Sequence, residues 1–273
     1  MYNQVKRAIF KKAQEAIAEE PISIPIDMVS IIVPIYNKKK FTLQMLKALW
    51  KNTEYSYELI LIDNNSTDGS EEAIKEFANN QVSKGQRWHY IKNSNNKGFS
   101  IANNQGARVA KGKYLCFLNN DTIPLKYWLK ELVECHIKHK SGITGAKLIL
   151  PGKGIIQHAG IMFDNFKYPY HKNFGFARDS KEVLKDEKYD AVTGACMLIE
   201  RETFFDIGCF DEDYWLGWED IDLCNRFREA GYEIWYASKS ELYHYESMSE
   251  GRYSKEGENW YKYSKRWVFN INK

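Results

Sequence analysis

Four short apolar runs, each leading into a stretch with helical periodicity, fill the first half of this 273-residue chain and constrain its fold more than any other feature. Ser30-Ile31-Ile32-Val33-Pro34-Ile35-Tyr36 precedes a helical pattern near 40–52, and Glu58-Leu59-Ile60-Leu61-Ile62-Asp63 precedes one near 70–79. Trp88-His89-Tyr90-Ile91 precedes a pattern built on Phe99, Ala102, Gly106 and Val109. The fourth run, residues 114–118, leads to Pro124, which suits the first turn of a helix because the N–H it lacks has no helical partner there. Strands that do not alternate with polar residues must be covered on both faces, and the intervening helices supply that cover. The pattern therefore predicts an α/β fold around a mostly parallel sheet flanked by helices.

In open parallel sheets, ligands bind beyond the carboxyl ends of the strands. Those ends are polar here. The first run closes on Tyr36-Asn37, the second on Asp63-Asn64-Asn65-Ser66-Thr67-Asp68-Gly69, and the fourth on Asn119-Asn120-Asp121-Thr122. One Asn-rich turn is ordinary loop chemistry. Three at one sheet edge predict a pocket for a polar ligand.

After residue 142 the periodicity is mixed, with strand-like segments at 143–150, 155–163 and 190–200. Then comes Trp218-Glu219-Asp220-Ile221-Asp222-Leu223-Cys224, where a helical pattern begins on two adjacent carboxylates. Spacing i, i+3, i+4, i+7 puts Asp220, Leu223, Cys224 and Phe227 on the inner stripe, and leaves Asp222, Arg226 and Glu229 for solvent. A carboxylate at the mouth of a core-facing helix is placed to take up a proton. The alternative is that Glu219 or Asp220 only complements the helix dipole.

The ends of the chain differ from its middle. Residues 4–19 set Val5, Ala8, Ile9, Ala13, Ala16 and Ile17 against Lys6, Arg7, Lys11 and Lys12, an amphipathic N-terminal helix. It either packs on the domain or lies on a membrane surface. The tail, residues 253–273, interleaves aromatic and basic residues (Trp260, Tyr261, Tyr263, Lys265, Arg266, Trp267, Phe269), a pattern for surface packing or for peripheral membrane contact. Thirty-nine basic against 36 acidic residues is near balance, which gives no footprint for nucleic acid. The five cysteines (116, 135, 196, 209 and 224) include no C-x-x-C pair, as expected of reduced thiols in a cytoplasmic protein. No apolar run has the length of a signal peptide or a membrane span.

Taken together and in order, Val33-Pro34-Ile35-Tyr36-Asn37, the 63–69 turn, Asn95-Asn96-Lys97-Gly98-Phe99, Phe117-Leu118-Asn119-Asn120-Asp121, Thr193-Gly194-Ala195-Cys196 and Trp218-Glu219-Asp220 resemble the family 2 glycosyltransferases. These are inverting enzymes of the GT-A fold, a Rossmann-like sheet, and the match is nearest to bacterial polysaccharide and glycoconjugate enzymes, including the rhamnosyltransferase-like branch. The resemblance covers roughly residues 29–247. It implies a nucleotide-binding half at 29–141 and an acceptor half at 142–247, with 1–28 an N-terminal helix and linker and 248–273 a C-terminal extension.

The resemblance also implies roles. Asp63 accepts from the base N–H of a UDP- or dTDP-sugar. Pro34, Tyr36 and Asn37 wall the nucleotide site, Asn96 and Gly98 let backbone approach it, and Asn65, Asn119, Asn120 and Gly194 line the donor. Asp121 matches the last Asp of the D-x-D motif and binds a divalent cation, Mn²⁺ or Mg²⁺, that bridges the donor diphosphate. His244 completes the metal shell, although in isolation it reads as a structural histidine. Asp220 is the general base toward an acceptor hydroxyl on a glycan, lipid-linked or protein-linked, and Glu219 orients that acceptor. Trp215 and Trp218 are either sugar-stacking walls or core. Gln157-His158-Ala159-Gly160 matches a further family segment that shapes the cavity. The expected location is the cytoplasm, either free or peripheral at the inner face of the cytoplasmic membrane.

The sequence departs from the family at Asn119, which stands where the D-x-D motif has its first Asp. It can ligate through its carbonyl but brings no charge. That change opens the alternative of a degenerate GT-A domain that binds a glycan or a partner without catalysis. A nucleotidyltransferase is disfavoured, because Pro34-Ile35-Tyr36-Asn37-Lys38-Lys39-Lys40 contains no glycine where that class has a Gly-rich loop.

Overall fold

The computed structural model describes residues 27–82, 87–245 and 255–269, so the amphipathic pattern of residues 4–19 lies outside the described residues. The expected strand–helix series is present: β1 (Val29–Ile35), α1 (Lys39–Asn52), β2 (Tyr57–Asp63), α2 (Ser70–Val82), β3 (Arg87–Lys92), α3 (Gly98–Val109) and β4 (Tyr114–Leu118). Next come β5 (Thr122–Pro124), α4 (Trp128–His139), β6 (Ile143–Ile149), β7 (Ile156–His158), β8 (Ile161–Phe163), β9 (Pro169–His171), β10 (Glu187–Tyr189) and β11 (Cys196–Glu200). The series ends with α5 (Arg201–Asp206), α6 (Glu219–Glu229), β12 (Ile234–His244) and α7 (Glu256–Tyr263).

One ten-stranded sheet takes in both halves of the chain, in the order β10-β12-β6-β11-β4-β1-β2-β3, with β5 on β12 and β7 on β6. The strands β4, β1, β2 and β3 run parallel. β11 lies antiparallel between β4 and β6, and β12 returns parallel to β6. The two faces bury separate clusters. Ile31, Val33 and Ile35 pack with Met45, Leu46 and Leu49 of α1 and with Trp128 and Leu132 of α4. Ile32 and Phe117 pack on the other face with Ala102 of α3, Phe204, Phe210, Leu223 and Phe227. Strand residues buried on both sides explain the unbroken apolar runs, and trimming one such Ile to Ala costs about 2–5 kcal/mol.

Three expectations need correction. Pro124 does not open a helix: it closes β5, opposite Leu242 of β12, and α4 starts only at Trp128. A short strand at the end of a sheet tolerates proline because no ladder N–H is needed there. The segment 155–163 is two strands in two different sheets, divided at Gly160, whose φ is +104 and whose absent Cβ would sit 2.2 Å from the Tyr189 ring. Of the segment 190–200, only Cys196–Glu200 is a strand, because residues 194–195 form a turn.

Candidate active site

β4, β1 and β2 lie side by side in one direction, so their polar carboxyl ends meet. The Asn-rich turns are cross-linked there. The Asn37 amide N–H donates to Ser66 Oγ, and Asn37 Oδ1 accepts from the Thr67 N–H, both at 2.8 Å. Asn64 donates from its backbone to the Ile35 carbonyl and from Nδ2 to the Gly98 carbonyl at 3.1 Å, while Asn93 Nδ2 donates to its Oδ1. Asn37 and Asn65 have φ of 55° and 69°, a region asparagine enters more readily than most residues. Pro34 is half-buried and Tyr36 exposed at this edge.

Asp63 forms the floor of the turn. It is fully buried, with one oxygen accepting from the Ser66 N–H at 2.7 Å and the other from the Tyr90 hydroxyl. Burial, and after it the bond to Asp63, push the Tyr90 phenol far above its usual range, so the proton stays on the tyrosine. Next to this turn, Asn96 Oδ1 accepts from the Gly98 N–H at 3.0 Å. Gly98 has φ +79, and a Cβ there would lie 2.4 Å from the carbonyl oxygen of Trp215. That same oxygen accepts from the Phe99 N–H at 2.8 Å, so the loop ahead of α6 is seated on the amino end of α3.

The β5–β12 pairing sets His244 opposite Thr122 and brings it to Asp121. Asp121 Oδ1 is buried without a hydrogen-bond donor, 3.2 Å from His244 Nε2. His244 Nδ1 lies 2.8 Å from Gln157 Oε1 on β7. An amide oxygen only accepts, so Nδ1 carries the proton and Nε2 turns a lone pair toward Asp121. Two electron-rich atoms at that distance are satisfied by a second imidazole proton or by a shared cation. Asn119 Nδ2 stands 3.5 Å from the same ring nitrogen. The side chain of Asn120 is engaged elsewhere, donating to Thr42 Oγ1 on α1 at 2.9 Å.

Asp220 reaches this edge through β11. The turn before β11 lies beside the end of β4, where the Asn119 N–H donates to the Ala195 carbonyl at 3.0 Å. The preceding amide, Gly194 N–H, donates to Asp220 Oδ2 at 2.8 Å, and the Ile221 N–H donates to Oδ1 at 2.8 Å. α6 does begin at Glu219, which is buried, and Glu229 is exposed as expected, but the burial of Asp220 and Asp222 is the reverse of the expected one. Asp220 is partly exposed, whereas Asp222 is fully buried. Asp222 accepts from Arg226 Nε and Trp267 Nε1, each at 2.8 Å, and pairs with Arg266 at 3.2 Å.

Those tail partners were the part of the site that sequence reasoning missed. Asn259 Nδ2 donates to the carbonyls of Leu216 and Gly217, Trp218 Nε1 donates to Glu256, and Asn225 Nδ2 donates to the Tyr263 hydroxyl. Residues 255–269 thus clamp both the loop and the helix that present Asp220. Trp218 belongs to this aromatic packing, 5.0 Å from Trp260 and 4.9 Å from Tyr263 between ring centroids. The tail's interleaved aromatics were the available signal. Gln157, expected only to help shape the cavity, orients His244.

Comparison with known proteins agrees with this architecture. The family described as "Glycosyl transferase family 2" matches residues 30–208, and a second, described as "N-terminal domain of galactosyltransferase", matches residues 175–250. An uncharacterized protein of Sinorhizobium fredii, y4gI, is 30% identical over 235 residues, covering 82% of this chain and 25% of that protein. The O-antigen biosynthesis protein RfbC of Myxococcus xanthus is also 30% identical over 235 residues, covering 81% of this chain and 17% of RfbC. The chain therefore spans a quarter or less of these two relatives. Among solved structures, GalNAc-T7 with UDP, GalNAc and Mn²⁺ superposes with a TM-score of 0.67 at 20% identity, over 80% of this chain and 44% of that one. With its GT-A architecture, its ordered turns and a match that runs through β1 to β11, the chain belongs to glycosyl transferase family 2.

Proposed function

We propose that this chain transfers a sugar from a UDP- or dTDP-sugar to an acceptor hydroxyl with inversion, using Asp220 as the base and a divalent cation at Asp121 and His244. The observation that carries the reading is the pair of adjacent bonds at the β11 turn. Gly194 holds Asp220 while Ala195 holds Asn119, so the base is anchored next to the strand end that bears Asp121. Residues 29–141 then serve the nucleotide and 142–247 the acceptor.

Each residue's work follows from its contacts. With both oxygens fixed by backbone N–H groups, Asp220 has one orientation and keeps lone pairs for the acceptor proton. Glu219, buried in the first turn, lies beside it to orient the acceptor. The orphaned Asp121 Oδ1 and the Nε2 lone pair of His244 suit a transition-metal dication that takes carboxylate oxygen and tolerates an imidazole, such as Mn²⁺, with Mg²⁺ as substitute. When bound, that ion supplies positive charge against which the leaving nucleoside diphosphate develops its own. Tyr36, Asn37 and Asn65 line the nucleotide side. Asp63 meets the pyrimidine through lone pairs not used by Ser66 and Tyr90, a carboxylate offering about four.

The RfbC relative is named for O-antigen biosynthesis, which supports a growing polysaccharide or a lipid- or protein-linked glycan as the acceptor. No helix among the described residues is long and apolar enough to cross a membrane. Peripheral contact would fall to outward residues of the tail such as Tyr261 and Phe269, since Tyr263 is buried and Trp267 is bonded to Asp222. The test is a screen of UDP-, dTDP- and GDP-sugars for donor hydrolysis and transfer, with and without Mn²⁺, in the wild type and in Asp220→Asn. Metal-stimulated turnover of a pyrimidine donor that collapses in the variant is expected. Donor binding with no turnover under any condition would instead make the chain a non-catalytic binding module, the reading that Asn119 alone favours.

A further inference from the structure

A second cluster of metal-ligating side chains lies away from Asp121 and His244. Cys135 and His139 are four residues apart on α4, so both side chains leave the same helix face one turn apart. Asp186, just ahead of β10, meets them, and one ligand atom from each of the three lies within 4.8 Å of the others. β10 pairs with the amino-terminal half of β12, Glu187 opposite Tyr236, whereas His244 ends that strand.

The geometry points to a second metal site in which the Cys135 thiolate, the His139 Nε2 and the Asp186 Oδ2 bind a thiophilic divalent cation, Zn²⁺ before all others. Three features of the cluster fit this. First, His139 Nε2 is buried with no hydrogen bond and stands 3.5 Å from Asp186 Oδ2. That is long for a hydrogen bond but close to the separation of roughly 3.3 Å expected for two ligands at about 2.0–2.1 Å from a tetrahedral ion. Second, two of the three ligands already have orienting partners. Asp186 Oδ1 accepts from the Ser238 backbone N–H at 3.0 Å and from its hydroxyl at 2.9 Å, and the His139 ring stacks on Trp235 at 3.6 Å. Partners of this kind hold first ligands in place in known metal sites. Third, the site has an entry. His139 and Asp186 keep 18% and 20% of their side-chain surface exposed, while Cys135 closes the inner end. Cys135 Sγ, which donates to the Tyr236 carbonyl at 3.9 Å, gives up that bond and releases its proton to solvent as the ion binds, and water takes the fourth position. Lys138, 66% exposed, pairs with Asp186 Oδ2 at 3.3 Å, and a divalent ion displaces it.

Such an ion would pin the last turn of α4 to the β10 edge of the sheet. The test is Co²⁺ titration of the chelator-stripped, full-length protein, followed by Zn²⁺ competition. A thiolate-to-cobalt charge-transfer band is specific to this cluster, because the centre at Asp121 and His244 contains no cysteine. The band should saturate near one equivalent, survive in Asp121→Ala, vanish in Cys135→Ser and bleach on Zn²⁺ addition. His139→Ala, at a partly exposed position, should weaken Co²⁺ binding at least tenfold, and Ser238→Ala should weaken it about 10–100-fold, the usual effect of removing an orienting partner. Donor hydrolysis should remain in Cys135→Ser. A wild-type protein without the band, or a Cys135→Ser protein with the band at full strength, overturns the assignment.

Discussion

Gly194 and Asp220 are joined by a 2.8 Å hydrogen bond in which the glycine amide donates to Asp220 Oδ2. An asparagine at 220 can offer its single carbonyl oxygen to the same N–H but turns its NH2 toward the Ile221 N–H, so the substitution loses one of the two anchoring bonds as it removes the proton acceptor. Asp220→Asn should lower turnover by about 10²–10⁴-fold, the worth of a general base, with UDP affinity unchanged and a stability loss of only about 1 kcal/mol from the forfeited bond. Near-normal turnover would shift the role to Glu219.

The cation should bind poorly to the empty protein and well once UDP or dTDP is present. In the proposed site Asp121 would be the single charged ligand and His244 a neutral one, so the diphosphate would supply the rest of the charge. Asp121→Ala should abolish metal-dependent activity, and His244→Ala should raise the Mn²⁺ requirement. Gln157→Leu, which frees the His244 ring without touching the ion, should weaken Mn²⁺ binding by about 10–100-fold. Mn²⁺ should be preferred to Ca²⁺, since imidazole suits a transition metal. Mn²⁺ titration with and without UDP decides this; tight binding to the apo protein, or full activity in excess chelator, is the contrary result.

Calorimetry with UDP, dTDP, GDP and ADP should show the two pyrimidine diphosphates binding more tightly. Asp63→Asn should narrow that difference. Four equal affinities would confine Asp63 to the turn it already holds through Ser66 and Tyr90.

At Gly98, alanine meets two penalties, the left-handed backbone and the Trp215 carbonyl only 2.4 Å away. Gly98→Ala should destabilise the fold by about 2–4 kcal/mol and also lower turnover, because the displaced loop carries α6 with it. Gly152 has φ +72 with nothing within 4 Å and serves as the control, where alanine should cost only about 1–2 kcal/mol and leave turnover alone. Urea melts of the two variants, read beside kcat, separate strain from collision.

Glu58, almost wholly buried on β2, should make the fold acid-labile. Burial pushes its carboxyl up, but hydrogen bonds from His89, Ser30 and the Lys111 amide outweigh that and leave it below its usual 4.5. A carboxyl with a lowered folded-state pKa stabilises the protein fully above its unfolded value, and that stability is lost as the pH falls through the folded value. Denaturation midpoints should therefore drop from about pH 4.5 downward. In Glu58→Gln this dependence should flatten, at a cost near neutral pH of about 1–3 kcal/mol. An unchanged pH profile in that variant contradicts the account.

The parallel half of the fold was legible because two-sided burial leaves an unbroken apolar run, as in Ile31-Ile32-Val33. β12 was not. Its register slips between Ala237 and Glu241, and Ser238, Ser240 and their neighbours bury polar groups whose partners lie far away in sequence. The same blindness misplaced Asp222: a carboxylate on a charged helix reads as solvated unless Arg266 and Trp267 are known to fold back onto it. That Asp121 and His244 come together was expected only through the family resemblance. That Asn120 turns to Thr42, and that Gln157 holds His244, depended on contacts 78 and 87 residues apart along the chain.

The clamp of residues 255–269 over Leu216, Gly217, Trp218 and Asp222 also sets an order in time. During synthesis, every strand of the central sheet emerges before the segment that fixes α6. The nascent chain can therefore bury its two hydrophobic faces and shape the nucleotide turns while Asp220 still lacks its downstream support. The edge formed by the strand ends is shaped first, and the support of Asp220 follows only once residues 255–269 have emerged.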